Sequence, residues 1–390
     1  MYTFNLEGII DSTLREGGQT PGIEFGFTDK LDIIRSLAAL GIDEMELDVV
    51  SPGSTELSSL VRQAQRLVQK KSRLSLWCRC RAEDIEFAAR CSPDILSLSI
   101  PVSDLHLCHR LGRDREWVLD KLERSIVHAR RLGFQYVSVG LEDATRADRV
   151  FLARVVARAA FAGASRIRLA DTVGISTPGM ISSLVQHVTQ HCSLPIGIHT
   201  HNDFGMATAN VFAALEAGAC WADATVLGLG ERAGNCRLEE LVGYLSLVRG
   251  NSRYQPDRLP GLCNLVAKAA NISISGHHPV VGDEIFTCET GLHVHGLTAN
   301  PVTYEPFDPH RIGRSRIIRF GGKTGKRAVR NSLASMGIKI SYQEAVHLVS
   351  RVRQIADERN KSLDNEELFN LAKKEGLVNP YISPGMLQEI

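Results

Sequence analysis

Two histidines one residue apart, His199 and His201, are the first feature of this chain that suggests chemistry. They lie at the end of a short apolar run, with His199 inside and His201 directly after Ile196–Thr200, which is predicted to be a β-strand. Because alternate residues of a strand face the same side, both imidazoles point in one direction. Two histidines and one carboxylate with open positions form a common site for a catalytic divalent metal. We expect Glu16, at the end of another strand, to be the third ligand.

Glu16 belongs to a polar segment, Asp11–Gln19, that follows the first predicted strand. A carboxylate there can hold a cation, and the guanidinium of Arg15 can polarise a carbonyl group. The amide of Gln19 adds a further hydrogen-bonding group. The same composition, Arg-Glu-Gly-Gly, is equally typical of a solvated turn.

Three further polar segments follow predicted strands. Thr172 or Asp171 is suited to bind a substrate carboxylate or to orient a ligand histidine, and either is as well suited to cap a helix. Glu142 can act as a base or orient one, and a surface carboxylate is the alternative. The glycine-rich segment Gly228–Asn235 is suited to cradle a phosphate or pack against a flat ligand.

A later segment carries His293 and Tyr304, which are an acid/base pair by chemical type. Nothing in their spacing places them beside the histidine pair, and on this evidence alone a structural loop histidine is favoured. The chain contains no C-x₂-C pair, no P-loop motif and no G-x-G-x-x-G motif. We therefore expect no structural zinc site, and no mononucleotide or dinucleotide site of those types.

The elements that must position these residues alternate regularly along the first two-thirds of the chain. Strand–helix alternation predicts parallel strands joined by crossover helices. Eight such units in about 250 residues fit a (β/α)₈ TIM barrel, whose active sites lie at the carboxyl ends of the strands. A doubly wound sheet is the alternative, and the polar residues at most strand ends favour the barrel. The predicted strands are Gly8–Asp11, Glu44–Val49, Leu74–Cys78, Ile95–Ile100, Tyr136–Gly140, Ile167–Asp171, Ile196–Thr200 and Ala224–Leu227.

The predicted organisation has three parts: a catalytic barrel over 1–270, a linker subdomain over 271–325, and a small helical C-terminal subdomain over 326–390. Residues 271–320 are rich in glycine, histidine and proline and show no clear periodicity. Helices are predicted in the C-terminal part at Arg327–Met336, Ser341–Asn360 and Asn365–Lys374.

Composition narrows the class of protein. The 390 residues are 44% hydrophobic, which is enough to bury a large core. Lys and Arg number 45 against 44 Asp and Glu, so no broad field favours nucleic acid or an anionic membrane. No apolar run approaches the ~20 residues of a membrane span, and the first residues do not form a signal peptide. Nine cysteines without disulfide-framework density favour the cytoplasm.

Taken together, these motifs resemble the metal-dependent Claisen-condensing barrel enzymes, which include isopropylmalate, citramalate and homocitrate synthases and hydroxymethylglutaryl-CoA lyase. The resemblance covers nearly the whole chain and is strongest to homocitrate synthases of the nitrogen-fixation type, particularly in Trp77–Arg79, Ile100–Leu105 and Gly313–Arg316. Glu231 stands where the lyases place a catalytic cysteine, which argues against the lyase reaction. The family motifs are Asp11–Gln19, Pro101–His106, Glu142–Arg146, Asp171–Gly174, His199–Asp203, Gly228–Asn235 and Gly291–Tyr304.

The resemblance implies a reaction and a set of roles. The reaction is the metal-dependent condensation of acetyl-CoA with 2-oxoglutarate to give homocitrate and CoA; 2-isopropylmalate or citramalate synthesis from another 2-oxoacid is the alternative. The divalent metal, Mg, Mn or Zn, is held by Glu16, His199 and His201, with Asn235 near a fourth position. Arg15 is similar to the arginine that polarises the keto oxygen.

The remaining roles are also implied by the resemblance. Gln19 and Thr172 are similar to residues that contact the 2-oxoacid. His293 and Tyr304 match a catalytic pair that one subunit contributes to its neighbour's barrel, with Glu142 assisting, so we expect a homodimer. The distal carboxylate of 2-oxoglutarate needs a placed donor, for which His106, His109, Arg79 and Arg81 are open candidates. Gly18, His295 and Thr324 depart from the usual family residues and bear on substrate choice and rate.

Overall fold

The computed structural model describes residues 4–378 of the chain. The described residues form two compact units, 4–274 and 275–378, which we call the barrel unit and the C-terminal unit. In the described part, no helix is long and apolar enough to cross a membrane.

The barrel unit contains eight parallel strands that close into a ring in sequence order, β1 pairing with both β2 and β8. The closed parallel barrel confirms the predicted fold class. Because every strand runs in the same direction, all eight carboxyl ends meet at one mouth. The strands are β1 Gly8–Asp11, β2 Glu44–Val49, β3 Arg73–Arg79, β4 Ile95–Pro101, β5 Val137–Glu142, β6 Arg166–Asp171, β7 Ile196–Thr200 and β8 Trp221–Ala224.

Helices surround the barrel, and the longer ones bury an apolar stripe against it. In α2, for example, Leu57, Leu60, Val61, Ala64 and Val68 are buried at the three- and four-residue spacing of an amphipathic helix. The helices of this unit are α1 Phe27–Leu40, α2 Leu57–Val68, α3 Ala82–Cys91, α4 Asp104–His106, α5 Arg115–Arg131, α6 Arg149–Ala162, α7 Pro178–His191, α8 Ala207–Glu216, α9 Leu238–Gly243 and α10 Leu259–Ala269.

The barrel floor is filled by an ion pair. Arg166 of β6 donates from both terminal nitrogens to Glu44 of β2, at 2.8 and 2.9 Å, and from Nε to Ser138 Oγ at 3.1 Å. The guanidinium also lies 4.7 Å from the centre of the Trp221 ring. Both charged side chains are fully buried. A satisfied polar layer therefore closes the barrel below the mouth.

One predicted strand is corrected. The eighth strand is Trp221–Ala224 rather than Ala224–Leu227, because Gly8 pairs with Trp221 and because Leu227 has a left-handed backbone (φ 58°) within a 3₁₀ turn. The helix Ala82–Cys91 lies between the third and fourth strands, where the strand–helix alternation calls for one. Its apolar stripe is short, and its alanines and cysteine pack against the barrel without a strong apolar signal.

The C-terminal unit has one apolar core shared by its helices. Val294 and Phe320, both before residue 325, pack in the same core as Val329, Leu348 and Phe369. The segment 271–320, which shows no periodicity, nevertheless contains a helix. The elements are α11 Gly291–Ala299, α12 Lys326–Ser335, α13 Tyr342–Arg359 and α14 Asn365–Lys374, with a parallel pair of two-residue strands, β9 Thr287–Cys288 and β10 Ile317–Ile318.

Candidate active site

A carboxylate and two imidazoles converge at the mouth of the barrel. Glu16 Oε1 lies 3.3 Å from His199 Nε2, and this nitrogen lies 3.3 Å from His201 Nε2. One ligand atom from each residue falls within 4.8 Å of the others, and all three side chains are buried. β7 supplies His199, the residue directly after β7 is His201, and the turn after β1 supplies Glu16. The structure thus brings together the three residues predicted from strand spacing.

The donor set fits a divalent metal ion. Burial, with a smaller contribution from His199, lowers the pKa of His201 to about 4, so its imidazole is neutral at pH 7. Although burial raises the pKa of Glu16, Arg15 holds it below the usual value, so the carboxylate is ionised. The cluster therefore offers one anionic oxygen and two nitrogens within coordination range of a single ion.

Asn235 supports the same interpretation. Its Nδ2 donates to the carbonyl of Leu229 at 2.8 Å, and its backbone pairs with that of His201. Its carboxamide oxygen is buried and has no hydrogen-bond partner in the described part of the chain. A buried carbonyl oxygen without a partner is costly unless a ligand satisfies it. Asn235 therefore suits the fourth position that the family resemblance implies.

The glycines before Asn235 shape the loop that carries it. A Cβ on Gly234 would lie 1.9 Å from the carbonyl oxygen of Gly228, and a Cβ on Gly230 would lie 2.1 Å from Asn235 Nδ2. Gly234 also has a left-handed backbone (φ 83°). These glycines let the loop fold back on itself, and the only residue of 228–235 that lines the cleft is Glu231.

His199 is oriented by Asp223 of β8. His199 Nδ1 donates to Asp223 Oδ2 at 2.8 Å, which turns Nε2 toward Glu16 and His201. Ser12 Oγ donates to the other oxygen of Asp223 at 2.7 Å, and Arg168 lies 2.9 Å from the first. Burial raises the pKa of Asp223, but Arg168 opposes it and keeps the pKa well below its usual range.

The expectation that Asp171 or Thr172 orients a ligand histidine is corrected. Asp171 accepts from Thr145 Oγ1 at 3.0 Å and from the backbone NH of Ser176 at 3.1 Å, so it stabilises the loop after β6. Thr172 Oγ1 accepts from the backbone NH of Asp143 at 2.8 Å, and Thr172 lines the cleft.

Arg15 is held in place by two carboxylates. Its Nε donates to Glu46 Oε2 at 2.6 Å, and its Nη1 contacts Glu16. Glu46 also accepts from Arg168 at 2.8 Å. Burial raises the pKa of Glu46, but Arg15 and Arg168 lower it to about 2. Nη2 of Arg15 makes no hydrogen bond with the described residues, so this nitrogen can donate to a ligand in the cleft.

These residues line a cleft of about 740 Å³ at the carboxyl ends of the strands. The predicted site residues that line this cleft are Arg15, Glu16, Gln19, Glu142, Thr172, His199 and His201. Glu142 accepts from Arg110 at 2.5 and 3.1 Å. The lining residues that the sequence analysis did not single out as site residues are Trp77, Ser97, Ser99, Gly140, Arg168 and Ala170.

The proposed donors for a distal carboxylate do not line the cleft. Arg79 donates to Asp84 at 2.7 and 3.0 Å. His106 Nε2 lies 3.8 Å from Asp143, and His109 is exposed. Ser97 and Ser99, by contrast, face the cleft from β4, and their hydroxyls make no hydrogen bond with the described residues.

His293 and Tyr304 lie together in the C-terminal unit. Their ring centres are 4.3 Å apart, and both side chains are exposed. The ring of Tyr304 lies against Gly296 of α11, where a Cβ would be 2.3 Å from a ring carbon. The pair is thus preformed within this unit by a glycine that admits the tyrosine ring.

A closed parallel barrel with a carboxylate and two histidines at its mouth defines a barrel enzyme class with a candidate metal centre. The chain belongs to the HMGL-like family, whose model matches residues 8–266. A second model, homocitrate synthase post-HMGL domain-like, matches residues 280–360. The family resemblance stated from the motifs is therefore confirmed.

Proteins similar to this chain include three synthases that differ in their named product. It is 37% identical over 364 residues to 2-isopropylmalate synthase 2 of Caldanaerobacter subterraneus subsp. tengcongensis, covering 93% of this chain and 94% of that protein. It is 36% identical over 368 residues to homocitrate synthase 1 of a Nostoc species, covering 94% and 97%. It is 35% identical over 370 residues to an (R)-citramalate synthase of Methanocaldococcus jannaschii, covering 94% and 74%.

Proposed function

We propose that this protein is a homocitrate synthase, which condenses acetyl-CoA with 2-oxoglutarate and water to give homocitrate and CoA. The observation that carries the proposal is the buried cluster of Glu16, His199 and His201 beside the guanidinium of Arg15. With a divalent metal held by Glu16, His199 and His201, this arrangement would bind the anionic end of a 2-oxoacid. A homocitrate synthase is also among its full-length relatives.

The residues around the cluster bind the 2-oxoacid and stabilise the negative charge that develops on it. A divalent metal held by the cluster supplies Lewis acidity to the keto oxygen. Arg15 donates from its remaining nitrogen to the oxygen that becomes negative when the carbon–carbon bond forms. Because Glu46 and Glu16 fix the guanidinium, little reorganisation is needed as this charge develops. Gln19 and Thr172 contact the carboxylate end of the 2-oxoacid.

The methyl proton of acetyl-CoA must be removed before the enolate attacks. His293, assisted by Tyr304, has the chemistry of that base, and the rings already lie together. Glu142, fixed by Arg110, assists from the cleft. In this proposal the partner subunit of a homodimer supplies the His293–Tyr304 pair, and the new alkoxide is protonated before water hydrolyses the thioester to release CoA.

The choice of 2-oxoglutarate is supported by the free hydroxyls of Ser97 and Ser99. The cations that line the cleft, Arg15 and Arg168, are already paired with carboxylates. These two hydroxyls, which have no partner among the described residues, can bind the distal carboxylate of 2-oxoglutarate. They would remain unpaired against a 2-oxoacid that carries an alkyl group in its place. Sites of this kind discriminate strongly, because a buried hydrogen-bonding group pays a penalty when its ligand lacks the matching group.

Two sister reactions remain as the alternative, since the relatives include an isopropylmalate synthase and a citramalate synthase. The test is CoA release from acetyl-CoA with 2-oxoglutarate, 2-oxoisovalerate or pyruvate. We expect the highest kcat/KM with 2-oxoglutarate, and at least about a tenfold loss of that preference in Ser97→Ala/Ser99→Ala.

Ser75→Ala is the matched control, because Ser75 is a buried strand serine that lies outside the cleft lining and donates to the carbonyl of Met45. It should leave the preference unchanged. A higher kcat/KM with 2-oxoisovalerate or pyruvate in the wild type would replace the homocitrate assignment by the corresponding synthase.

A further inference from the structure

The C-terminal unit contains an open cavity of about 1030 Å³ whose charged lining is entirely cationic. Lys326, Arg327 and Arg330 come from the first turns of α12, and Lys339 comes from the segment before α13. The other lining residues are Asn331, Ala334, Ile340 and Tyr342. We call this the cationic pocket.

The four cations of the cationic pocket form no ion pair with a carboxylate among the described residues. Lys326 contacts the Tyr342 hydroxyl, and Arg327 contacts the His295 ring at 2.9 Å. Arg330 and Lys339 are exposed, and their side chains make no hydrogen bond within the described part.

Several other arginines of this unit do have acidic partners. They include Arg314 with Asp283 at 2.5 Å, Arg316 with Glu305 at 2.7 Å, Arg351 with Glu375 at 3.2 Å and Arg359 with Glu367 at 3.1 Å. The unit therefore has carboxylates to pair with arginines, but none of them lines the cationic pocket.

The position of these cations is electrostatically unfavourable without a counter-ion. Lys326 and Arg327 are the first two residues of α12, at the positive end of the helix dipole, and the first turn contains no acidic residue. Lys326 and Arg330 are four residues apart on one helix face, where like charges repel. An anion in the cationic pocket would remove both penalties.

We propose that the cationic pocket binds a ligand that carries two or more phosphate charges. The inference rests on the proposed function, because acetyl-CoA carries a diphosphate and a 3′-phosphate. The arginines that line the barrel cleft are paired with carboxylates, so that cleft does not match such a group. The ligand is the nucleotide end of CoA or a free nucleoside polyphosphate.

The test is calorimetric titration of the full-length protein with CoA, 3′,5′-ADP, ATP and inorganic phosphate. We expect one site for a nucleotide, an affinity that weakens as salt rises, and at least about a tenfold loss of affinity in Arg330→Glu, since one charge-assisted hydrogen bond is worth that factor. Lys361→Glu is the matched control, because Lys361 is an exposed cation of the same unit outside the cationic pocket.

The ligands separate the two sources. Binding of CoA and 3′,5′-ADP in preference to ATP identifies the CoA end, and Arg330→Glu should then raise the KM for acetyl-CoA with little change in kcat. Preference for ATP identifies a free nucleotide. Equal affinities in the wild type and Arg330→Glu, or no binding beyond that of inorganic phosphate, would overturn the proposal.

The titration needs neither a 2-oxoacid nor turnover. Nucleotide binding without CoA release would support the nucleotide site in the cationic pocket and refute the synthase function. CoA release without nucleotide binding at this site would support the synthase function and refute the nucleotide site.

Discussion

The sequence predicts the three central residues of the candidate site because strand geometry constrains them. His199 in β7 and His201 directly after it face the same side, and a barrel brings the end of β1 to the same mouth, so Glu16 meets them. Asp223 escaped prediction because it is one acidic residue in a four-residue strand that was placed three residues too late. Its role depends on a tertiary contact with His199, which no local pattern encodes.

At the residue scale, we expect Asp223 to tune metal binding. Asp223→Asn keeps the shape of the side chain but removes the negative charge of the group that accepts the hydrogen bond from His199 Nδ1. The affinity for Zn²⁺ or Mn²⁺, measured by competition with a chromophoric chelator, should fall about 10- to 100-fold. Asp171→Asn is the control, because Asp171 bonds Thr145 and the Ser176 backbone rather than a ligand histidine. Equal metal affinity in Asp223→Asn and the wild type would refute the orienting role.

His201 also predicts a pH dependence of stability in the metal-free protein. Burial lowers its pKa from 6.5 to about 4 in the folded state. Between these pH values the unfolded chain binds a proton that the folded chain does not. The contribution of His201 to the free energy of unfolding is therefore fully present above pH 6.5. It is lost as the pH falls toward 4, by at most about 1.4 kcal/mol per pH unit.

Urea unfolding of the metal-free protein between pH 5 and 7 measures this effect. His201→Gln should show a shallower decrease in stability than the wild type, whereas His191→Gln, which changes an exposed histidine, should follow the wild type. Parallel pH profiles for the wild type and His201→Gln would exclude the assignment.

At the scale of elements, polar residues alternate along several strands that are otherwise apolar. Glu44 and Glu46 of β2, Ser97 and Ser99 of β4, and Arg166 and Arg168 of β6 each recur at a spacing of two. Ser97, Ser99 and Arg168 line the cleft, and Glu46 is the ion-pair partner of Arg168. Glu44 and Arg166 form the ion pair of the barrel floor. This alternation is the signal that would have identified Ser97, Ser99 and Arg168 as lining residues. The pairing of particular charges across the barrel depends on register and could not be obtained that way.

The ion pair on the barrel floor links β2 to β6 and should respond to mutation asymmetrically. Arg166→Met leaves Glu44 buried without its partner, so we expect a loss of about 3–5 kcal/mol in the free energy of unfolding. Arg166→Met/Glu44→Leu replaces the pair by apolar side chains and should recover most of that loss. Chemical denaturation of the three proteins measures both values, and a double variant as unstable as the single one would contradict this explanation.

At the scale of the whole molecule, the chain forms two units, and the predicted catalytic residues are divided between them. The fold of the barrel unit was predictable, because each of its β/α units has its own apolar pattern in the sequence. The segment 271–320 was not predictable, since α11 contains glycines and histidines and, among its described side chains, contributes only Val294 to the core. The proposed function further predicts that each site combines the barrel residues of one subunit with the partner's His293.

Mixing two inactive variants tests this division. Arg15→Ala and His293→Ala should each fold and turn over at least about a hundredfold more slowly than the wild type. After subunits exchange, half the dimers are mixed and each has one complete site, so activity should recover to about a quarter of the wild-type value. No recovery, together with a monomeric mass in solution, would show that each chain works alone.

The central claim is that the metal cluster of the barrel condenses acetyl-CoA with 2-oxoglutarate. The most direct measurement follows CoA and homocitrate together, in protein stripped of divalent metal and again after Mg²⁺, Mn²⁺ or Zn²⁺ is restored. We expect one homocitrate for each CoA released, loss of both products on stripping, and recovery with at least one of the metals. CoA release that is unaffected by stripping, or none with any 2-oxoacid, would contradict the account.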